Sequence, residues 1–275
     1  MVTLFVIGHA LAWWACATLV ENLAARAVIG RDEFSLADQV TQRVIGSASV
    51  VAPFALAVLI LAALGIRPDW NFGYRRLPLA LIGLVLIATP GALLIGAASG
   101  LGLWEMPSLT PFGGSASAWI GLILLTTIMG VVVEELLFRG ALLTAIQDAT
   151  GSRILTIVAT SALFALFHSQ WDLGSLAARF LLGVSLAWAA YQIGGVEFGV
   201  GAHLAINLTY LFLDPSFGAD RVLVSHETVL ARHTADASFN RIQGAALYGI
   251  VILIGSVVLT RMRLKDTCAS PPATP

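Results

Sequence analysis

The sequence predicts an all-α, polytopic membrane protein of about eight transmembrane helices, with a polar site inside the helix bundle. Three observations predict it. Of the 275 residues, 58% are hydrophobic and only 11% charged, whereas a soluble domain averages about 45–50% apolar and 25% charged residues. Mean hydropathy is +0.88. The apolar residues also fall into long runs, and a run of about 20 is what crosses the hydrocarbon core of a bilayer. So little charge cannot cover a surface that faces water.

By that length criterion the candidate spans are 2–28, 44–66, 77–103, 117–139, 153–170, 173–193, 196–214 and 243–262. The chain reads as a single membrane domain over 1–275. The first span is the weakest, because His9, Glu21, Asn22 and Arg26 interrupt it. It lacks the basic leader and small-residue cleavage site of a signal peptide and reads as a retained span. Breaks between runs carry loop chemistry: Pro68 and Pro78, Pro107 and Pro111, Gly194-Gly195, and Asp214-Pro215. Residues 215–242 form the one long polar connection, and 266–275 read as a disordered tail rich in Pro. His226-Glu227 resembles the start of a zinc-protease helix, but position 230 is Leu, so the second His is missing. No internal repeat is evident, which counts against an inverted-repeat transporter.

Basic residues set the orientation. Arg67, Arg75 and Arg76 follow the second span, Arg139 and Arg153 flank the loop after the fourth, and Arg261, Arg263 and Lys265 follow the last. With eight spans, all three clusters and both termini fall in the cytoplasm, while Arg26, Arg31 and Arg43 run against the rule. The reading is a multi-pass protein of the cell membrane whose surroundings are the lipid bilayer. A net charge of −1 without a basic patch excludes nucleic acid as a partner. Cys16 and Cys268 suggest neither a disulfide framework nor a thiolate metal site, and Cys268 lies too far from the end to be a lipidation box.

Charged groups inside spans are costly, roughly 2.5–3.5 kcal/mol at the bilayer centre on insertion scales, and so mark functional sites. The fourth span ends in Val133-Glu134-Glu135-Leu136-Leu137-Phe138-Arg139-Gly140. Residues four apart share a helix face, so Glu135 and Arg139 can pair. Glu134 has Phe138 at that spacing and must point elsewhere, as a free base. The fifth span carries Phe164 and His168 four apart, and the seventh carries His203 and Asn207 four apart. Taken alone, a His at the end of an apolar run is more often a satisfied or interfacial histidine than a catalytic one. A His–Asn pair can equally well join membrane helices by hydrogen bonds. Together, Glu134, His168, His203 and Asn207 supply what water-mediated amide hydrolysis requires. They provide a base for the water, an imidazole to position it or protonate the leaving amine, and donors to an oxyanion.

The three stretches Glu134-Glu135-x-x-x-Arg139, Phe164-x-x-x-His168 and His203-x-x-x-Asn207 resemble the motifs of the CPBP family. These are intramembrane glutamate proteases that include the CAAX prenyl endopeptidases and bacteriocin-immunity-related proteins. Arg179-Phe180-Leu181-Leu182-Gly183 is similar in local wording. The resemblance covers roughly 117–212, which marks the expected catalytic core. It implies that Glu134 and His168 activate water, that His203 and Asn207 stabilise the oxyanion, and that Glu135, Arg139 and Phe164 support the site. It implies a membrane-associated protein or peptide as substrate, and water activation by Glu and His with no cofactor. The alternative is a His₂Glu zinc site on Glu134, His168 and His203; Asn is a poor zinc ligand, and metal-independent chemistry is favoured. Two other readings remain: a catalytically silent binding or immunity protein of the same fold, and a small-solute transporter using the same polar groups.

Overall fold

The computed structural model describes residues 72–100, 116–168, 172–213 and 235–269, together with Gly8 and parts of 51–65. Besides helical residues within 51–60, seven α-helices have both ends among them: α1 Leu77–Gly100, α2 Ala116–Glu135, α3 Leu143–Thr150, α4 Arg153–Phe167, α5 Leu173–Ile193, α6 Glu197–Leu213 and α7 Ala235–Ala269. A short 3₁₀ turn, Tyr74–Arg76, precedes α1. No strand occurs among the described residues, so the all-α expectation holds there. The candidate spans at 2–28 and most of 44–66 lie outside them, as does His226-Glu227.

The helix boundaries follow local chemistry. The Ser152 and Asp172 side chains accept hydrogen bonds from the Leu155 and Ser175 amides and so cap α4 and α5. Gly151 and Gly194 end α3 and α5 in the left-handed conformation, at φ 64° and 74°, which a residue without Cβ adopts cheaply. Two helices are long and apolar enough to cross a membrane, Leu173–Ile193 and Ile242–Met262 within α7. The first coincides with the expected span 173–193. The outward residues of α7 (Leu247, Ile250, Ile254, Val258) are exposed, as are Leu81, Val85 and Ile154 on α1 and α4. Large apolar side chains on the outside of several helices suit lipid better than water.

Two expected boundaries are corrected. The fourth span does not end at 139. Beyond Glu135 the chain passes through a π-helical turn, Leu136–Leu142, and straight into α3, with no loop before Gly151. Arg139 is therefore 1% exposed inside the protein and cannot count as a loop charge in the orientation argument. At the other end, α7 runs to Ala269, four residues into the tail expected to be disordered; there Arg263, Lys265 and Asp266 extend the helix past the apolar stretch. The remaining tail lies outside the described residues.

A core of Ile87, Leu186, Ala189, Phe198, Ala202, Ala205, Ile206, Tyr248 and Ile252 joins α1, α5, α6 and α7. The crossing of α1 with α6 is very close, because two glycines face backbone. A Cβ on Gly201 would fall 1.7 Å from the Ala80 carbonyl oxygen, and one on Gly83 would fall 2.3 Å from that of Phe198. Small residues permit such approach in helix bundles. The Arg76 guanidinium donates to the Gly194 carbonyl, and the Gly73 amide donates to the Glu197 carboxylate. The Thr260 hydroxyl donates to the Gln192 carbonyl, and Arg153 stacks on Trp188 and Tyr191. These contacts gather Arg76, Arg153 and the C-terminal end of α7 around one end of α5.

Candidate active site

Glu134 and Glu135 leave α2 at the point where the helix widens into the π turn. Such turns recur at functional sites because they insert a residue and re-aim the side chains around it. Here the turn buries six consecutive residues, Leu137 to Leu142. Phe138 fills the centre of a cluster with Leu137, Ala141, Leu142 and Phe164.

Glu135 is fully buried and forms the ion pair expected with Arg139, Nη1 to Oε1 at 3.0 Å. The same oxygen lies 2.9 Å from Nδ1 of His203 on α6. One carboxylate thus holds both the arginine of its own helix and an imidazole from another. The backbone of α6 leaves room for it: a Cβ on Gly199 would come within 2.9 Å of Glu135 Oε2.

Glu134 points the other way. Its Oε2 lies 3.7 Å from Nε2 of His168 and 3.8 Å from Nε2 of His203, and it receives no hydrogen bond from any described residue. Both separations exceed hydrogen-bond length, and a gap of this size between polar atoms suits a bridging water. The side chains of Glu134 and His168 retain 14% and 22% exposure, against 0% for Glu135. The base candidate is partly exposed beside the two imidazoles and the pairing carboxylate is not.

The ring nitrogens are held in definite roles. His168 Nδ1 lies 2.7 Å from the Phe164 carbonyl oxygen. A carbonyl can only accept, so Nδ1 carries the hydrogen, and Nε2 of the neutral ring faces Glu134 with a lone pair. His203 Nδ1 likewise donates to the Glu135 carboxylate, so Nε2 can donate only when the ring is an imidazolium, with Glu135 as its counter-ion. Phe164 braces the group: its ring meets His168 edge-on at 4.5 Å and His203 at 5.7 Å, and Arg139 lies over it at 4.1 Å.

A cavity of about 300 Å³ opens beside these groups, lined by Phe164, His168, His203 and Asn207 with Ser175, Arg179 and apolar residues of α5 and α6. This is the small end of ligand-site volumes and accommodates a short stretch of chain. All four expected catalytic residues therefore converge, Glu134 and both imidazoles on one point and Asn207 on the cavity wall. Sequence reasoning missed the His203–Glu135 contact and the inward position of Ser175 and Arg179. The latter had a signal, two polar residues four apart in an apolar span. It also missed Glu197, a fully buried carboxylate; a glutamate following Gly194-Gly195 was its visible mark. Among the described residues no three His, Cys, Asp or Glu side chains are grouped so as to hold a metal ion.

Residues 116–209 match the family model described as Type II CAAX prenyl endopeptidase Rce1-like. That stretch runs from the start of α2 to the helix turn after His203 and contains every residue of the polar cluster. No curated protein and no solved structure matches the chain.

Proposed function

We propose that this chain, whose segment 116–209 matches the CAAX-type endopeptidase family, is an integral membrane endopeptidase that hydrolyses a peptide bond of a membrane-associated protein or peptide. One observation carries the reading: Glu134 Oε2 stands 3.7 and 3.8 Å from two imidazole Nε2 atoms at the edge of a cavity. A water in that gap can donate one hydrogen to Glu134 and the other to His168 Nε2, leaving a lone pair for the substrate carbonyl.

Attack moves the water proton to Glu134 and puts negative charge on the former carbonyl oxygen. The His203 imidazolium and the Asn207 amide, both on the cavity side of α6, donate to that oxygen. Collapse of the tetrahedral adduct returns the proton from Glu134, through His168, to the leaving amine. The products are a carboxylic acid and an amine, and no side chain forms a covalent intermediate. The reaction proceeds without a metal. The basic end formed by Arg76, Arg153 and the close of α7 faces the cytoplasm of a multi-pass protein in the cell membrane.

Comparative proteomics of membranes carrying the wild type or Glu134→Ala tests the function. Substrates should accumulate uncut in the variant membranes. Identical fragment patterns, with both proteins expressed equally, would favour the silent binding protein of the same fold.

A further inference from the structure

The cavity lies towards one end of the bundle. α5 has 21 residues, about 31 Å of helix, which matches the roughly 30 Å hydrocarbon core of a bilayer. The residues it gives to the cavity run from Ser175, in its first turn, to Leu186. Phe164 and His168 on the facing wall close α4. His168 thus stands about 22 Å along α4 from Arg153. Arg153 marks the opposite end, where it stacks on Trp188 and Tyr191. Arg76 and Thr260 meet the Gly194 and Gln192 carbonyls at that same end.

Between that end and the cavity the bundle is filled. Ala189 and Ile193 of α5 join Phe198 of α6 and Ile252 of α7 in the buried core, and Val196 and Glu197 are fully buried beside them. A polypeptide cannot pass side chains packed to interior density. Among the described residues, the walls leave the approach from the end where α4 closes and α5 begins. Charge separates the same two ends. Arg75, Arg76, Arg153, Arg261, Arg263 and Lys265 belong to the end at Gly194. At the other, the connections 101–115 and 168–172 hold no Lys or Arg, and 215–242 sets Arg221, Arg232 and Arg241 against Asp220, Glu227 and Asp236. Basic residues in short connections stay in the cytoplasm. We propose that the cavity takes its substrate from the extracytoplasmic side, so that the bond cut lies in the outer half of the bilayer or directly beyond it. The substrate class is a membrane-anchored polypeptide whose target segment has already crossed the membrane. This rests on the endopeptidase reading and on the cytoplasmic placing of the basic end, and it adds the side from which the site works.

Two measurements on the full-length protein in cells test it. In a background of Cys16→Ser and Cys268→Ser, single cysteines are introduced by Leu173→Cys or Ala149→Cys. Leu173 is the exposed first residue of α5, beside the cavity. Ala149 is exposed on the last turn of α3, whose Gln147 meets Tyr191 at the basic end. A membrane-impermeant maleimide should label Leu173→Cys in intact cells and Ala149→Cys only after permeabilisation. Any other pattern would overturn the proposal. The second measurement uses a library of single-span reporter proteins with random decapeptides on either the outer or the inner flank of the span. Cuts made by wild type and lost with Glu134→Ala should come from the outer-flank set alone. Such cuts in the inner-flank set would overturn the proposal and leave the protease reading standing. No Glu134-dependent cut in either set would count against the protease reading, while the labelling still decides which side the cavity faces.

Discussion

His203 Nδ1 and Glu135 Oε1 lie 2.9 Å apart, across two helices. In the proposed mechanism this contact ties the second glutamate to the chemistry as well as to the fold, since its charge holds the imidazole assigned to the oxyanion. Glu135→Gln keeps the size and an accepting oxygen but removes the counter-ion of both Arg139 and His203. We expect kcat to fall by about a hundredfold, with KM nearly unchanged, in cleavage assays on purified protein. Unchanged kcat would mean that His203 works without that charge.

Removing one partner of the buried pair outright has a larger structural effect. Glu135 and Arg139 are 0% and 1% exposed, so Glu135→Ala or Arg139→Ala strands a charge inside the bundle. Each should cost about 3–5 kcal/mol, read as lower yield of folded protein and a lower thermal midpoint in detergent. A midpoint within a degree or two of wild type would contradict the burial.

The crossing of α1 and α6 makes a prediction about backbone alone. Gly201→Ala would set a Cβ 1.7 Å from the Ala80 carbonyl oxygen, while a Cβ on Gly121 of α2 meets nothing within 4 Å. Gly201→Ala should therefore destabilise the protein markedly, and it should impair catalysis because His203 lies on the same helix two residues on. Gly121→Ala should be neutral or slightly stabilising. Thermal unfolding of the two variants side by side checks this.

Much of the site was legible because its residues come in pairs four apart on single helices. That spacing separates Glu134 from Glu135, joins Glu135 to Arg139, and sets His168 over Phe164, whose carbonyl it binds. The helical class and the apolar run 173–193 were legible for a similar reason, since composition and length decide them. What lay hidden depends on contacts between helices. Nothing in the spacing of Glu135 says that an imidazole of α6 shares its oxygen. The expected span ended at Arg139, with a loop from there to Arg153, whereas the π turn carries the helix on to Thr150. Packing against Phe164 and Phe138 buries the arginine there. Arg179 and Glu197 were visible as polar residues in apolar runs, but only the fold shows which of them reaches the cavity.

The geometry around Glu134 also bears on metal. In the proposed chemistry Glu134 and His168 activate the water by themselves, so cleavage should survive exhaustive treatment with EDTA and 1,10-phenanthroline, within about twofold of the untreated rate. Loss of activity restored by added zinc would contradict metal-independent hydrolysis.

The most direct test concerns the oxygen that stands between the two imidazoles. A substrate identified in the membrane comparison is to be incubated with purified wild type and with Glu134→Gln, which keeps the shape of the side chain and cannot accept the water proton. The account predicts that the cleavage rate falls by about a thousandfold or more while the thermal midpoint stays near wild type. Cleavage by folded Glu134→Gln at the wild-type rate would contradict it.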